Sequence, residues 1–258
     1  MTSRTHTYFL SDFHLGSPDY DSSLVREKRI VQFLDEIAPN ARAIYLMGDV
    51  FDFWFEYRSV VPRNFVRLLG KLAELTDSGI EVHFFKGNHD MWTFGYLEKE
   101  LGLRLHDNTL AVTIGDKRFF LGHGDGKGPG DVKYKILRKV FRSRFNQWLL
   151  ARIHPDFTFR IATRWSYKSR IAAVNEHSFL KENEWLYRYC ERKLEHAHYD
   201  YFIFGHRHLP IHTAVGKESL YINLGDWIVY NTYAVFDGHR LDLLSYPGHE
   251  PSGFGRQR

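Results

Sequence analysis

Apolar residues along this chain gather into short β-rich runs separated by stretches with helical spacing. The runs are Thr7–Leu10, Ala43–Met47, Glu81–Phe85, Arg118–Leu121, Tyr201–Phe204 and Leu220–Leu224, with further strand-like text over Ile228–Phe236. Helical spacing is readable over Leu24–Ile37, Asn64–Leu75, Lys133–Ile153 and Phe179–Leu194. Strands alternating with helices predict an α/β architecture. Between Gly124 and Tyr199 no strand pattern occurs, so this stretch reads as a helical insertion between two strands, with Gly124–Gly130 as its flexible entrance. The expected division is a body formed by residues 1–126 and 200–250, with residues 127–199 inserted into it.

Five of the runs end in the same way, on a polar cluster. YFLSDFH supplies Asp12 and His14, IYLMGDVFD supplies Asp49 and Asp52, and VHFFKGNHD supplies Asn88, His89 and Asp90. RFFLGHGD supplies His123 and Asp125, and YFIFGHRH supplies His206 and His208. In open α/β sheets the loops at the carboxyl ends of strands converge on one crevice, so these distant residues are expected to share a site. Carboxylate, imidazole and amide oxygen suit Mn, Fe or Zn. The set exceeds what one ion needs, and a shared carboxylate can bridge two ions into a clamp for displacement at phosphorus. Glycine before Asp49, Asn88, His123 and His206 is expected to let the backbone turn sharply after each strand. One Asp-x-His pair is usually ordinary loop text; five such clusters in order, each closing an apolar run, point to a metal site.

Composition narrows the setting. A single cysteine excludes an intramolecular disulfide framework and a cysteine-based zinc site. Cys190 fits the stripe Leu186, Cys190 and Leu194, where a small buried apolar residue is the default. Met1–Leu10 lacks a long apolar stretch and no run reaches the length of a membrane span, so a soluble cytoplasmic protein is expected. The net charge of +4 hides an uneven distribution. Residues 127–170 carry 12 Lys and Arg against 2 acidic residues, a local +10, which leaves −6 on the rest. Within that basic segment Leu137, Phe141, Phe145, Trp148 and Leu149 fall at helical spacing among Lys133, Lys135, Arg138, Lys139, Arg142 and Arg144. An apolar and basic helix is the interfacial membrane pattern, and a core helix with a solvated basic face is the plain alternative. Its departure from the His123 loop places it over the expected metal site. Trp54 is a further candidate wall for an apolar substrate, although an aromatic run is more often core. No helix-turn-helix or finger signature is present, so specific nucleic-acid recognition is not expected.

The motifs DFH, GDVFD, GNHD, GHGD and GHRH together resemble the five-part signature of the calcineurin-like metallophosphoesterases, over about residues 7–240. The resemblance implies a four-layer α/β sandwich, two mixed sheets flanked by helices, with a helical lid insertion and a dinuclear centre. By position, Asp12, His14, Asp49 and His208 would hold one ion, and Asp49, Asn88, His123 and His206 the other. His89 would contact phosphate and assist the leaving oxygen, Asp90 would orient His89, and Asp52 and Asp125 would support the ligands. Within the family, the chain length, the GDVFDFW text and the helical segment between GHGD and GHRH are most similar to the UDP-2,3-diacylglucosamine pyrophosphatases of the lipid A pathway. That subfamily implies two divalent ions, manganese in most cases, and an amphiphilic nucleotide-lipid substrate. It further implies a peripheral place on the cytoplasmic face of the inner membrane. It also implies substrate contacts at Asn88, His89, Asp131, Ser169 and His206. The well-known members read GNRD where this chain reads GNHD. Two other readings stay open: a different metallophosphoesterase acting on phosphomonoesters, cyclic nucleotides or nucleic-acid ends, and a non-enzymatic scaffold. Oligomeric state is not legible.

Overall fold

The structure is a computed structural model that describes residues 4–128, 132–162 and 184–247. Eleven strands among them form two sheets. The first, in the order β11-β10-β1-β2-β3-β4, contains β1 (His6–Leu10), β2 (Ala41–Leu46), β3 (Glu81–Phe85), β4 (Arg104–His106), β10 (Thr232–Phe236) and β11 (Leu241–Ser245). The second, in the order β5-β6-β7-β9-β8, contains β5 (Leu110–Ile114), β6 (Lys117–Gly122), β7 (Tyr201–Phe204), β8 (Pro210–Val215) and β9 (Ser219–Leu224). Strands β1 to β4 are mutually parallel, as are β6, β7 and β9, while β5, β8, β10 and β11 pair antiparallel.

Alternation within the apolar runs explains the layering. Phe9, Tyr45, Met47 and Phe85 point toward the second sheet and pack on Phe119, Leu121, Ile203, Ile222 and Leu224. Their neighbours Tyr8, Leu10, Ile44, Leu46, Val82 and Phe84 face outward. There they meet α1 (Tyr20–Ile37), α2 (Val66–Asp77) and α3 (Tyr96–Leu101) through Ile30, Phe33, Leu34, Leu68, Leu72 and Leu97. On the far side Phe120, Phe202, Phe204 and Tyr221 pack on Leu186 and Cys190 of α7 (Trp185–Leu194). The result is the expected four-layer α/β sandwich. Both sheets are buried on both faces, which is why their central strands read as unbroken apolar runs. The strands that the sequence pattern misses, β4, β5, β8 and β11, are the four sheet edges, where burial is less complete.

Three further expectations are corrected. The expected helix over Lys133–Ile153 is two helices, α4 (Val132–Arg142) and α5 (Arg144–Leu150), broken at extended Ser143. The carbonyl of Phe141 accepts from the Trp92 indole and the Gln147 amide, which holds the break in place. Residues 155–162 form a further helix, α6. The strand-like text from Ile228 becomes a strand only at Thr232, because the Asp226 carboxylate caps the N–H groups of Ile228, Val229 and Tyr230 in a turn. Trp54 is fully buried against Phe51 and walls no cleft. Among the described residues no helix is long and apolar enough to cross a membrane.

His83 lies inside β3, stacked on Tyr45 at 4.2 Å, with its Nδ1 2.9 Å from His106 Nε2. Burial, then the His106 and Arg104 charges, push His83 down to about 4. Above pH 6.5 the ring is neutral folded or unfolded and contributes no pH dependence. Between 6.5 and about 4 the unfolded chain takes up a proton that the folded ring refuses, so stability falls as pH falls. The expected result for His83→Phe, which keeps the stack, is a smaller loss of Tm between pH 7 and pH 4.5 than in the native protein, read by thermal unfolding. An equal loss would show that another group governs this window.

Candidate metal centre

The parallel strands of both sheets end at the same edge of the sandwich, and every candidate ligand sits just beyond such an end. Asp12 and His14 follow β1, Asp49 follows β2, Asn88 and His89 follow β3, His123 follows β6, and His206 and His208 follow β7. Backbone hydrogen bonds lace these loops together. Asp12 N–H donates to the Gly48 carbonyl at 3.1 Å, His14 N–H to Asp49 O at 2.9 Å, and Gly205 N–H to His123 O at 2.9 Å. Two carboxylate oxygens join in: Asp49 Oδ1 accepts from His89 N–H and Asp12 Oδ2 from His206 N–H, both at 2.9 Å.

Close approach governs the glycines more than turning does. Only Gly48, at φ +98°, has the left-handed backbone that favours glycine, and a β-carbon there would lie 2.6 Å from His123 Nδ1. Gly87 and Gly205 have ordinary backbone, but a β-carbon would overlap the Asp49 and Asp12 carboxylates. The strain sits in the ligands themselves. Asp12, His14, Asp49, His206 and His208 all have φ between 45° and 71°. Such non-glycine residues cost about 1–3 kcal/mol each and collect at functional sites.

The side chains form two overlapping groups, and His89 makes a third with His14 and Asp49. His14 Nε2 lies 3.1 Å from His208 Nε2 and 3.6 Å from Asp12 Oδ1, and His208 Nε2 lies 3.3 Å from Asp12 Oδ1. In the second group His123 Nε2 is 3.3 Å from Asp49 Oδ2 and 3.2 Å from Asn88 Oδ1, with His206 beside them. Asp49 Oδ2 is also 3.7 Å from His14 Nε2, which puts this oxygen between the groups. Atoms bound to one ion at about 2.1 Å lie roughly 3.0–3.4 Å from each other, close to these separations. Asp12 Oδ1 is buried and accepts no hydrogen bond among the described residues. An acceptor-rich pocket with this spacing fits divalent cations.

The charges agree. Burial opposes ionisation of Asp12 and Asp49, yet the surrounding imidazoles hold Asp12 at about 2 and Asp49 well below the usual range. Burial also opposes a charged His14, but Asp12, Asp52 and Asp49 outweigh it and raise it to about 10; His123 is raised in the same way, chiefly by Asp49. Burial and then the His123 charge push His206 down to about 4. The carboxylates therefore gather cationic charge onto neighbouring rings, the task a divalent cation performs when bound, with release of protons.

The remaining expected residues divide. Asp52 Oδ1 lies 3.4 Å from His14 Nδ1, and the Asp52 carbonyl is 2.9 Å from His89 Nδ1, so this residue supports both rings. Asp125 pairs with Arg138 of α4 at 3.3 Å. Asp90 does not orient His89, contrary to expectation. Its carboxylate accepts from Val50 and Gly87 N–H at 2.7 and 2.8 Å and so ties the two neighbouring turns together. Burial, then the Asp49 charge, raise it to about 7. Asp131 and Ser169 lie outside the described residues. One residue the sequence reading passed over belongs here: Asp226, at the end of β9, lies 3.3 Å from His208 Nδ1. Its signal was visible, since LYINLGD closes an apolar run on Gly-Asp just as IYLMGD does.

Residues 5–210 match the family model described as calcineurin-like phosphoesterase. The chain is 44% identical to a UDP-2,3-diacylglucosamine hydrolase of Porphyromonas gingivalis, covering 94% of this chain and 98% of that protein. It is 28% identical to a protein of the same description from Aeromonas salmonicida, covering 96% of each. A solved phosphoesterase structure from E. coli is similar with a TM-score of 0.46 and 16% identity, covering 93% of this chain and 92% of that one.

Asp226→Asn keeps an oxygen for the 228–230 turn but sets an amide against His208 Nδ1. Partners of this kind are worth about 10–100-fold in metal affinity. A loss in that range is expected for Mn2+ in calorimetric titration of the metal-free protein, and native affinity would remove Asp226 from the centre.

Proposed function

The chain belongs to the calcineurin-like phosphoesterase family, and from that premise we propose that it hydrolyses the diphosphate of UDP-2,3-diacylglucosamine to UMP and 2,3-diacylglucosamine 1-phosphate in lipid A biosynthesis. The chain is a metal-dependent phosphoester hydrolase. Its substrate follows from the 44% identical relative together with one feature of the molecule, an apolar cavity that starts at the metal loops. The cavity measures about 270 Å³ and is lined chiefly by Phe53, Trp92, Phe141, Leu150, Phe157 and Ile161. Phe53 and Trp92 come from the same loops as Asp52 and His89, so these loops contribute to both the cavity wall and the metal centre. An acyl chain is the part of this substrate that fits such walls.

On this reading residues 1–126 and 200–250 form the catalytic body and residues 127–199 an inserted lid. Asp12, His14, Asp49 and His208 hold one ion, and Asp49, Asn88, His123 and His206 the other. Two ions, manganese by preference, supply Lewis-acid stabilisation of phosphoryl oxygens and activation of water. Asn88, His89 and His206 border the phosphate, and Asp131 and Ser169 contact the sugar. His89 donates from Nδ1 to the Asp52 carbonyl, which fixes the ring. Burial first of all keeps it below the ordinary histidine range. An anionic diphosphate favours the doubly protonated ring, whose Nε2–H then donates toward the leaving oxygen.

Basic and apolar residues meet on the outer side of the insertion. Phe145 and Trp148 are 67% and 52% exposed, and Arg152 lies 4.5 Å over the Trp148 ring. This surface suits peripheral contact with an anionic membrane face, which supports a peripheral role on the cytoplasmic side of the inner membrane.

The test is Mn2+-dependent turnover of UDP-2,3-diacylglucosamine beside UDP-sugars, cyclic nucleotides and single-stranded DNA. Preferred turnover of the acylated substrate is expected; turnover of simple phosphodiesters alone would sink the proposal. Asp49→Asn is expected to lose at least 100-fold in kcat while its unfolding curve stays cooperative. Phe141→Ser is expected to raise KM for the acylated substrate about tenfold or more, with little change in kcat, and an unchanged KM would refute the cavity's role.

A further inference from the structure

The two imidazoles contributed by β7 are not held only by their own loop. Between His206 and His208 stands Arg207, whose side chain is 10% exposed. Its Nε lies 3.0 and 3.2 Å from the two carboxylate oxygens of Glu184, itself 2% exposed. Glu184 is the residue immediately before α7, where the chain returns from the segment between β6 and β7. The next residue, Trp185, sets its ring edge-on to His206 with centroids 5.9 Å apart and lies against Gly128. Leu186 then packs at Gly124, where a β-carbon would sit 3.3 Å from it. Three consecutive residues thus touch the loops carrying His123, His206 and His208.

A buried ion pair is poor evidence of stability, since desolvation can exceed the attraction. What such a pair does well is forbid alternatives, because neither partner tolerates separation in a dry interior. Here the constraint acts on a loop whose two flanking residues hold strained backbone, at φ 71° for His206 and 50° for His208.

We propose that Glu184 and Arg207 are positioning residues that make metal binding at His206 and His208 depend on the docked return leg of the insertion. Linkage makes the dependence mutual: ion binding tightens α7, and α7 tightens ion binding. The inference rests on the metal reading of the site but not on the substrate. It makes α7 and the metal loops one thermodynamic unit.

Mn2+ titration of the metal-free protein, by calorimetry and by the loss of free-ion EPR signal, tests it. Glu184→Gln keeps the side-chain shape and is expected to bind at least one ion tenfold or more weakly. Glu184→Gln combined with Arg207→Gln removes both charges of this pair together and is expected to show the same loss in a folded protein, judged by thermal unfolding. Either variant folding normally and binding Mn2+ with native affinity would overturn the proposal. Hydrogen exchange on the native protein provides an arm that needs no variant: Mn2+ should slow exchange of the α7 amides, and unchanged exchange would equally overturn it. Native protein that takes up no Mn2+ would refute the metal reading, and this inference with it.

Discussion

Two carboxylates, those of Asp12 and Asp49, are withdrawn almost completely from water at the edge where two sheets meet. Isolated buried anions are far too costly to persist, so the surroundings must supply positive charge and donors. Much of the local architecture follows from that need. Backbone N–H groups of His89 and His206 reach the carboxylates only because Gly87 and Gly205 leave room, and the imidazoles crowd in because the loops accept left-handed backbone. The same arrangement that is expensive when bare becomes favourable around divalent cations. Local strain and local function here have one cause.

Among the described residues, α7 packs broadly on the second sheet, and polar contacts fasten the segment between β6 and β7 near the metal centre. Arg138 pairs with Asp125, Trp92 holds the Phe141 carbonyl, and Glu184 holds Arg207. Each contact ties a metal loop to the segment between β6 and β7. The charge asymmetry is thus more than a solubility feature. It brings the cationic Arg138 to Asp125 in the loop after β6, while apolar side chains of the same helices line a pocket.

Legibility differed between centre and edge for a physical reason. The inner strands are buried on both faces, so apolar residues stand at successive positions and the runs are plain. At the edges, β5 and β8 alternate half-exposed positions, and β4 has only three residues, too short to show a period. The helix over Lys133–Ile153 looked continuous because its apolar spacing survives the break; the Phe141 carbonyl, claimed from outside by Trp92, is a tertiary fact. Asp90 misled for a related reason. Next to His89 in sequence, it turns the other way and binds the backbone of Val50 and Gly87.

By itself the sequence determined the residue types of the centre and their order on the strands. Repeated apolar runs ending in Asp, Asn and His can be packed as parallel strands only by bringing those ends to one edge, so the chemistry was readable in one dimension. Which atoms face each other was decided by tertiary structure alone. The place of Asp49 between the two groups, the support of His208 by Asp226 and the tie from Arg207 to Glu184 depend on distances of a few ångströms between segments far apart in the chain. No local pattern encodes such distances, because they are set by how two sheets and their covering helices settle against one another.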